Sequence, residues 1–322
     1  MPAYNLFTNK AGRLRSGWRL GIFVVTFSII SALLGFGLVL MLAFGFGFEA
    51  DRALGGFAGH VAQTFILFTA AGVAGWACGA IIEDLPWRAL GWAIHKGWLR
   101  DFLLGSVIGA VSLTLAVLLG TIGGGFHFTF NSSAATAIAR TLIFSGLLFV
   151  FAAAAEEVLF RGYPLQTLTR ARLVWLGILI TSVPFALAHL KNPNVIRGVT
   201  FANTVLAGVW LAVAYLRTRS LWLPLGIHWA WNWTMAAVLG LPVSGITRLT
   251  PSPLLKTLEA GPTWLTGGAY GPEGGVACTA ALVVSIVFVW FAPWFSATTE
   301  MKKFTDDENP TRKEMSENAL RH

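Results

Sequence analysis

The run AAAAEEVLFRGY, Ala152 to Tyr163, decides how this chain is read. Two adjacent acids, Glu156 and Glu157, and one arginine, Arg161, stand inside a segment that is otherwise largely apolar from about residue 139 to 168. A bilayer span needs about 20 mainly apolar residues, and this segment has that length. An ionisable side chain inside a span costs about 2.5–3.5 kcal/mol on insertion scales, so each needs a reason to be there. Helical geometry supplies a reason for two of the three. Glu157 and Arg161 are i, i+4 neighbours on one face, which suits an ion pair. Glu156 is turned about 100° away and is left to point elsewhere.

The remainder of the chain has the composition of a membrane protein. Of 322 residues, 55% are hydrophobic and only 12% are charged. The mean hydropathy is +0.67. Soluble domains carry about 25% charged residues, twice this share. Disorder needs low hydrophobicity and is excluded for the bulk of the chain. A disulfide scaffold is excluded too, because the two cysteines, Cys78 and Cys278, sit in apolar runs. Eight apolar segments fall at about 18–46, 61–82, 102–122, 139–168, 173–190, 199–216, 221–240 and 276–296. The expected fold is an all-α polytopic membrane bundle of about eight transmembrane helices, with the active site inside it. Residues 1–296 form the membrane domain, and 297–322 are a polar tail of mixed charge whose composition suits disorder. The longest connection, Leu241 to Gly275, is rich in Gly and Pro.

The net charge of +8 resembles a nucleic-acid signal. Nucleic-acid binders, however, gather Lys and Arg on one face among exposed aromatics. Here the cations fall in the short connections. Of the 23 Lys and Arg residues, 17 lie on one side of the expected spans, and six, Arg52, Arg140, Lys191, Arg197, Arg248 and Lys256, on the other. The positive-inside rule then puts both termini in the cytoplasm of a cell with this protein in its inner membrane. The basic stretch Lys10, Arg13, Arg15 and Arg19 precedes an apolar run too long for a signal-peptide core, so the first segment reads as an uncleaved anchor. The expected partners are the lipid bilayer and a peptide or membrane-protein substrate, with no nucleic acid.

Three more polar residues belong with the acidic pair. His189 closes the fifth segment in PFALAH, with Phe185 one turn before it. His228 and Asn232, in HWAWN, are i, i+4 on the seventh segment and share a face. Rise per residue tests whether they can meet. From a turn near Thr169–Arg172, Glu156 stands about 20 Å up and His189 about 25 Å. From Ser220, His228 and Asn232 reach about 12 and 18 Å. Kinks at Pro164 and Pro184 absorb such differences. A carboxylate held away from bulk water can take a proton from a water molecule, and a histidine beside it can orient that water or relay the proton. A second His and an Asn amide can donate to a developing oxyanion. That set can hydrolyse an amide without a covalent intermediate. A serine nucleophile is less convincing, since Ser182 lacks a G-x-S-x-G context.

Two other function classes use the same residues. In a non-proteolytic immunity factor or scaffold, the Glu–Arg pair locks helices and the His and Asn bond them together. In a transporter, Glu156 and His189 form a proton relay, but no repeat or pair of matched broken helices accompanies them. The fourteen tryptophans fall largely near span ends, as in an aromatic belt. Trp229, Trp231 and Trp233 surround the His–Asn pair and read first as packing, with a lipid- or prenyl-lined groove as the alternative.

At these residues the sequence resembles the CAAX prenyl endopeptidase and bacteriocin-processing (CPBP, or Abi) intramembrane proteases. Their motifs, Glu-Glu-x-x-x-Arg, Phe-x-x-x-His and His-x-x-x-Asn, stand here at Glu156–Arg161, Phe185–His189 and His228–Asn232. The resemblance covers about residues 140–240. It implies that Glu156 activates water with help from His189, that His228 and Asn232 form the oxyanion hole, and that Glu157, Arg161 and Phe185 support the site. It also implies an endopeptidase whose substrate is a CAAX-like, bacteriocin or membrane-associated peptide. Metal-free hydrolysis is the expectation. A zinc site of Glu156, His189 and His228 is the alternative, although H-E-x-x-H is absent.

Overall fold

The computed structural model describes residues 6–9, 12–46 and 57–305. Lys10, Arg52 and the tail beyond residue 305 lie outside the described residues. All eight apolar segments fall on helices: α1 (Ser16–Phe46), α2 (Phe57–Ile82), α3 (Trp98–Ile122), α4 (Ala135–Arg161) with α5 (Tyr163–Arg170), α6 (Val174–His189), α7 (Val199–Thr218), α8 (Trp222–Trp233) and, after a short helix α9 (Thr263–Thr266), α10 (Val276–Phe291). Five of these, α1, α2, α3, α4 running on into α5, and α7, are long and apolar enough to cross a membrane. The helices α6 and α10 are apolar but only 16 residues long. Helix α8 has 12 residues and continues as a π turn over Thr234–Val238. The architecture is an all-α polytopic membrane bundle.

The fourth segment is not one continuous helix. Gly162 separates α4 from α5, at ψ −123°. A Cβ there would collide with the carbonyl oxygen of Val158, so the turn needs glycine. Pro164 falls in the first turn of α5, where a missing N–H costs nothing. Pro184 lies inside α6. The tightest helix contact joins α3 to α8. A Cβ at Gly105 or Gly109 would strike the carbonyl oxygens of Leu223 or Ile227, and one at Gly226 would strike that of Phe102. Small residues let the two backbones meet, as in membrane helix pairs generally. Apolar packing continues from there: Leu113, Phe149, Trp210, Ile227 and Leu282 share one core cluster. Helix α1 is peripheral, with Val25, Ile29, Leu33 and Phe36 exposed as a lipid-facing surface.

The connections gather on two faces. On one, Glu83 accepts hydrogen bonds from Arg19, Thr167 and Arg170. The connection after α7 bonds there to Gly91, through Leu221 N. The start of the polar tail is also ordered there, contrary to its composition. Thr299–Thr305 form a helix, α11, whose Met301 and Phe304 are buried with Leu85, Ala89 and Ala93. On the opposite face lies a two-stranded antiparallel ribbon, which the sequence reading did not anticipate. Strand β1 (Phe126–Phe130) pairs with β2 (Leu255–Glu259) in the register Phe126 to Glu259 through Phe130 to Leu255. The ribbon pins the long 241–275 connection to the body of the protein.

Candidate active site

The site forms where α4, α6, α7 and α8 converge. Glu157 and Arg161 are fully buried. Arg161 Nη1 donates to Glu157 Oε1 at 3.1 Å, and Nη2 donates to the carbonyl oxygen of Gly208 on α7 at 3.0 Å. The guanidinium also stands 4.7 Å from the ring centre of Phe185, a cation–π distance. His228 of α8 contacts Glu157 Oε1 through Nδ1 at 2.9 Å. Its other nitrogen, Nε2, is 3.7 Å from Glu156 Oε2, a charge contact longer than a hydrogen bond. Glu157 thus ties three helices together, and Phe185 floors the arrangement. Its ring meets Phe160 edge-on at 5.4 Å and His189 at 4.6 Å.

His189 has a defined tautomer. Its Nδ1 lies 2.8 Å from the carbonyl oxygen of Phe185. A carbonyl only accepts, so Nδ1 carries the proton and the neutral ring leaves Nε2 as an acceptor. That is the state needed to take or relay a proton. Glu156, His189, His228 and Asn232 all line one cavity of about 420 Å³. The Glu156 side chain is 27% exposed and Glu157 is wholly buried. Among the described residues, no donor reaches the inner oxygen of Glu156, Oε2. One acid of the pair is therefore held by ionic and hydrogen-bond partners, and its neighbour faces open space.

The three tryptophans around the His–Asn pair divide between two tasks. Trp229 and Trp233 stack at 5.6 Å and donate to the carbonyl oxygens of Gly146 and Leu142, locking α8 to α4. Trp231 lines the cavity and packs edge-on against Trp210.

The structure adds groups that sequence reasoning left in a loop. Glu273 lines the cavity. Its carboxylate accepts from Trp231 Nε1 at 3.2 Å, from Ser244 N at 2.7 Å and from Ser244 Oγ at 2.8 Å. Asn203 of α7 donates to the carbonyl oxygens of Glu273 and Gly275, fixing that turn. The local sign of this is the glycine density of GGAYGPEGG, Gly267 to Gly275, around it. Among the described residues no group of three or more His, Cys, Asp and Glu side chains is placed to hold a metal ion.

Residues 138–234 match the family described as Rce1-like, type II CAAX prenyl endopeptidase. A protein of Escherichia coli, named only as an uncharacterized 24.3 kDa protein, is 39% identical over 84 residues. That stretch is 25% of this chain and 37% of the relative's own length. No solved structure matches the chain. The matched family segment contains every residue of the site so far named on α4, α6, α7 and α8. The helices that carry the site thus lie in the segment that is similar to the Rce1-like type II CAAX prenyl endopeptidases.

Proposed function

We propose that this chain is an intramembrane endopeptidase in which Glu156 activates the attacking water. The observation that carries the reading is the contrast within the acidic pair. Oε1 of the wholly buried Glu157 is engaged by Arg161 and His228, whereas Glu156 is 27% exposed at the cavity wall and meets His228 Nε2 only at 3.7 Å, longer than a hydrogen bond. A water between Glu156 and the Nε2 lone pair of His189 loses its proton to the carboxylate and attacks the scissile carbonyl. Asn232 and His228, when Nε2 carries a proton, donate to the oxyanion that forms. The protonated Glu156 then passes its proton to the leaving amine. Atoms and charge balance without a covalent intermediate or a metal. Glu157, Arg161 and Phe185 hold the helices at the right depth.

The substrate in this reading is a membrane-associated peptide, of CAAX-like or bacteriocin type. The protein sits in the inner membrane with both termini in the cytoplasm, as its Lys and Arg distribution supports. The Glu157–Arg161–His228 network also fits a scaffold that uses these residues only as helix contacts, and one experiment separates the two. Wild type and Glu156→Gln, purified in detergent, are assayed on membrane-anchored peptides with and without chelator. Cleavage that survives chelation and vanishes in the variant supports the proposal. Full cleavage by the variant contradicts it, and loss on chelation with stoichiometric zinc reassigns the residues to a metal.

A further inference from the structure

The cavity is asymmetric across the bundle. Its lining includes His60 and Gln63 from the first turns of α2, Asn192 just past α6, and Ser244, Leu249 and Glu273 from the 241–275 connection. All of these belong to the face that carries the β-ribbon. None of the described lining residues comes from the Glu83 face, that is, from residues 83–97, 171–173, 219–221 or 292–298. Toward that face the cavity ends on apolar groups such as Leu159, Leu211 and Ile227. Glu273 accepts from both Ser244 and Trp231 at the wall, so the loop is a built part of the cavity and not a passing strand.

Charge fixes what the two faces are. Among the described residues the Glu83 face carries most of the Lys and Arg, and the ribbon face carries Arg140, Lys191, Arg197, Arg248 and Lys256. By the positive-inside rule the ribbon face is extracytoplasmic. The cavity itself holds two carboxylates, Glu156 and Glu273, and its described lining contains no Lys or Arg. A peptide ending in a free carboxylate finds no cation there, whereas a neutral or basic segment finds acceptors.

We propose that the cavity is loaded from the extracytoplasmic face, by a neutral or basic peptide segment exposed on that side. The proposal rests on the hydrolytic reading of Glu156, but its test does not use activity. Single cysteines are placed at Ser132 in the ribbon-face connection, Arg172 on the Glu83 face and Ala207 in the cavity wall. The background carries Cys78→Ala and Cys278→Ala, and each variant is first shown to give a single sharp peak in detergent. Intact cells and inverted vesicles are treated with a membrane-impermeant cationic methanethiosulfonate or its anionic sulfonate analogue. The expected result is that Ser132→Cys and Ala207→Cys react in intact cells while Arg172→Cys reacts only in inverted vesicles. The cationic reagent is also expected to react about tenfold faster at Ala207 than the anionic one, after each is normalised to Ser132.

Reaction of Ser132→Cys only in inverted vesicles overturns the orientation and with it the proposal. Reaction of Ala207→Cys only in inverted vesicles, or from neither side, overturns the direction of opening. Equal or faster reaction of the anionic reagent at Ala207 overturns the choice of substrate charge. Failure of the hydrolytic reading is seen separately, in the detergent assay of Glu156→Gln, where there are no sides.

Discussion

Two carboxylates, one at an end of the bundle and one inside it, show what burial does and does not say about function. Glu83, just past α2, is 3% exposed and receives four hydrogen bonds, from Arg19, Thr167 and both ends of the Arg170 fork. Glu156, on α4, is 27% exposed and its inner oxygen receives none from the described residues. Glu83 is the more deeply buried acid, yet every feature of it is explained by joining α1, α2 and α5. A saturated carboxylate has no lone pair to spare for a proton. The reactive acid is the one that the fold leaves underemployed at the edge of a cavity. Counting donors separates the two, and counting charges does not.

That contrast can be broken most sharply at Glu156. Glu156→Gln is expected to lower cleavage by about 10²–10⁴-fold, the usual contribution of a general base. Its melting temperature should stay within a degree or two of wild type, read by scanning fluorimetry in detergent. Glu83→Gln should do the reverse. Removing the acid strands two buried arginines, a loss of about 3–5 kcal/mol, while turnover per folded molecule is retained. Denaturation followed alongside cleavage reads both quantities. A Glu83 variant that is stable but inactive would erase the distinction.

His189→Ala should cost about 10²-fold in turnover, less than loss of Glu156, because orientation of the water survives in part.

Acid should affect the two regions differently as well. Burial opposes ionisation of Glu83, but the charges of Arg170 and Arg19, with the hydrogen bonds from Arg170, outweigh it and hold the carboxyl below its ordinary value of 4.5. The folded state therefore binds fewer protons than the unfolded state in that range. The stabilisation is complete above about pH 4.5 and is lost as the pH falls through the lowered folded value. Wild type should thus show a fall in unfolding temperature below pH 4.5 that is smaller in Glu83→Gln. An identical acid profile in the two proteins would remove Glu83 from the account. The smallest expected effect is at Trp229→Phe, which deletes only the indole bond to Gly146 and should cost about 0.5–1.5 kcal/mol with little change in turnover.

Much of this was legible in the sequence where the interactions are local. Apolar runs marked the eight helices because a bilayer demands length and hydrophobicity from one continuous segment. The Glu157–Arg161 pair was legible because four residues make one helical turn. Gly162 broke the fourth segment at a point that apolarity alone does not mark. The ribbon was not legible, since Phe126–Phe130 and Leu255–Glu259 pair across more than a hundred residues and neither strand is stable alone. Neither Glu83 nor Glu273 stands out in the sequence, for the same reason. Their partners, Arg170 in one case and Trp231 in the other, come from distant parts of the chain and are set by the packed bundle.

The most direct test of the central claim is turnover per folded molecule for Glu156→Gln, measured beside Glu83→Gln on the same membrane-anchored peptide in the presence of chelator. The account predicts that the Glu156 variant is folded and inactive, and that the Glu83 variant is less stable but active in proportion to its folded fraction. A folded Glu156→Gln that cleaves at the wild-type rate would contradict it.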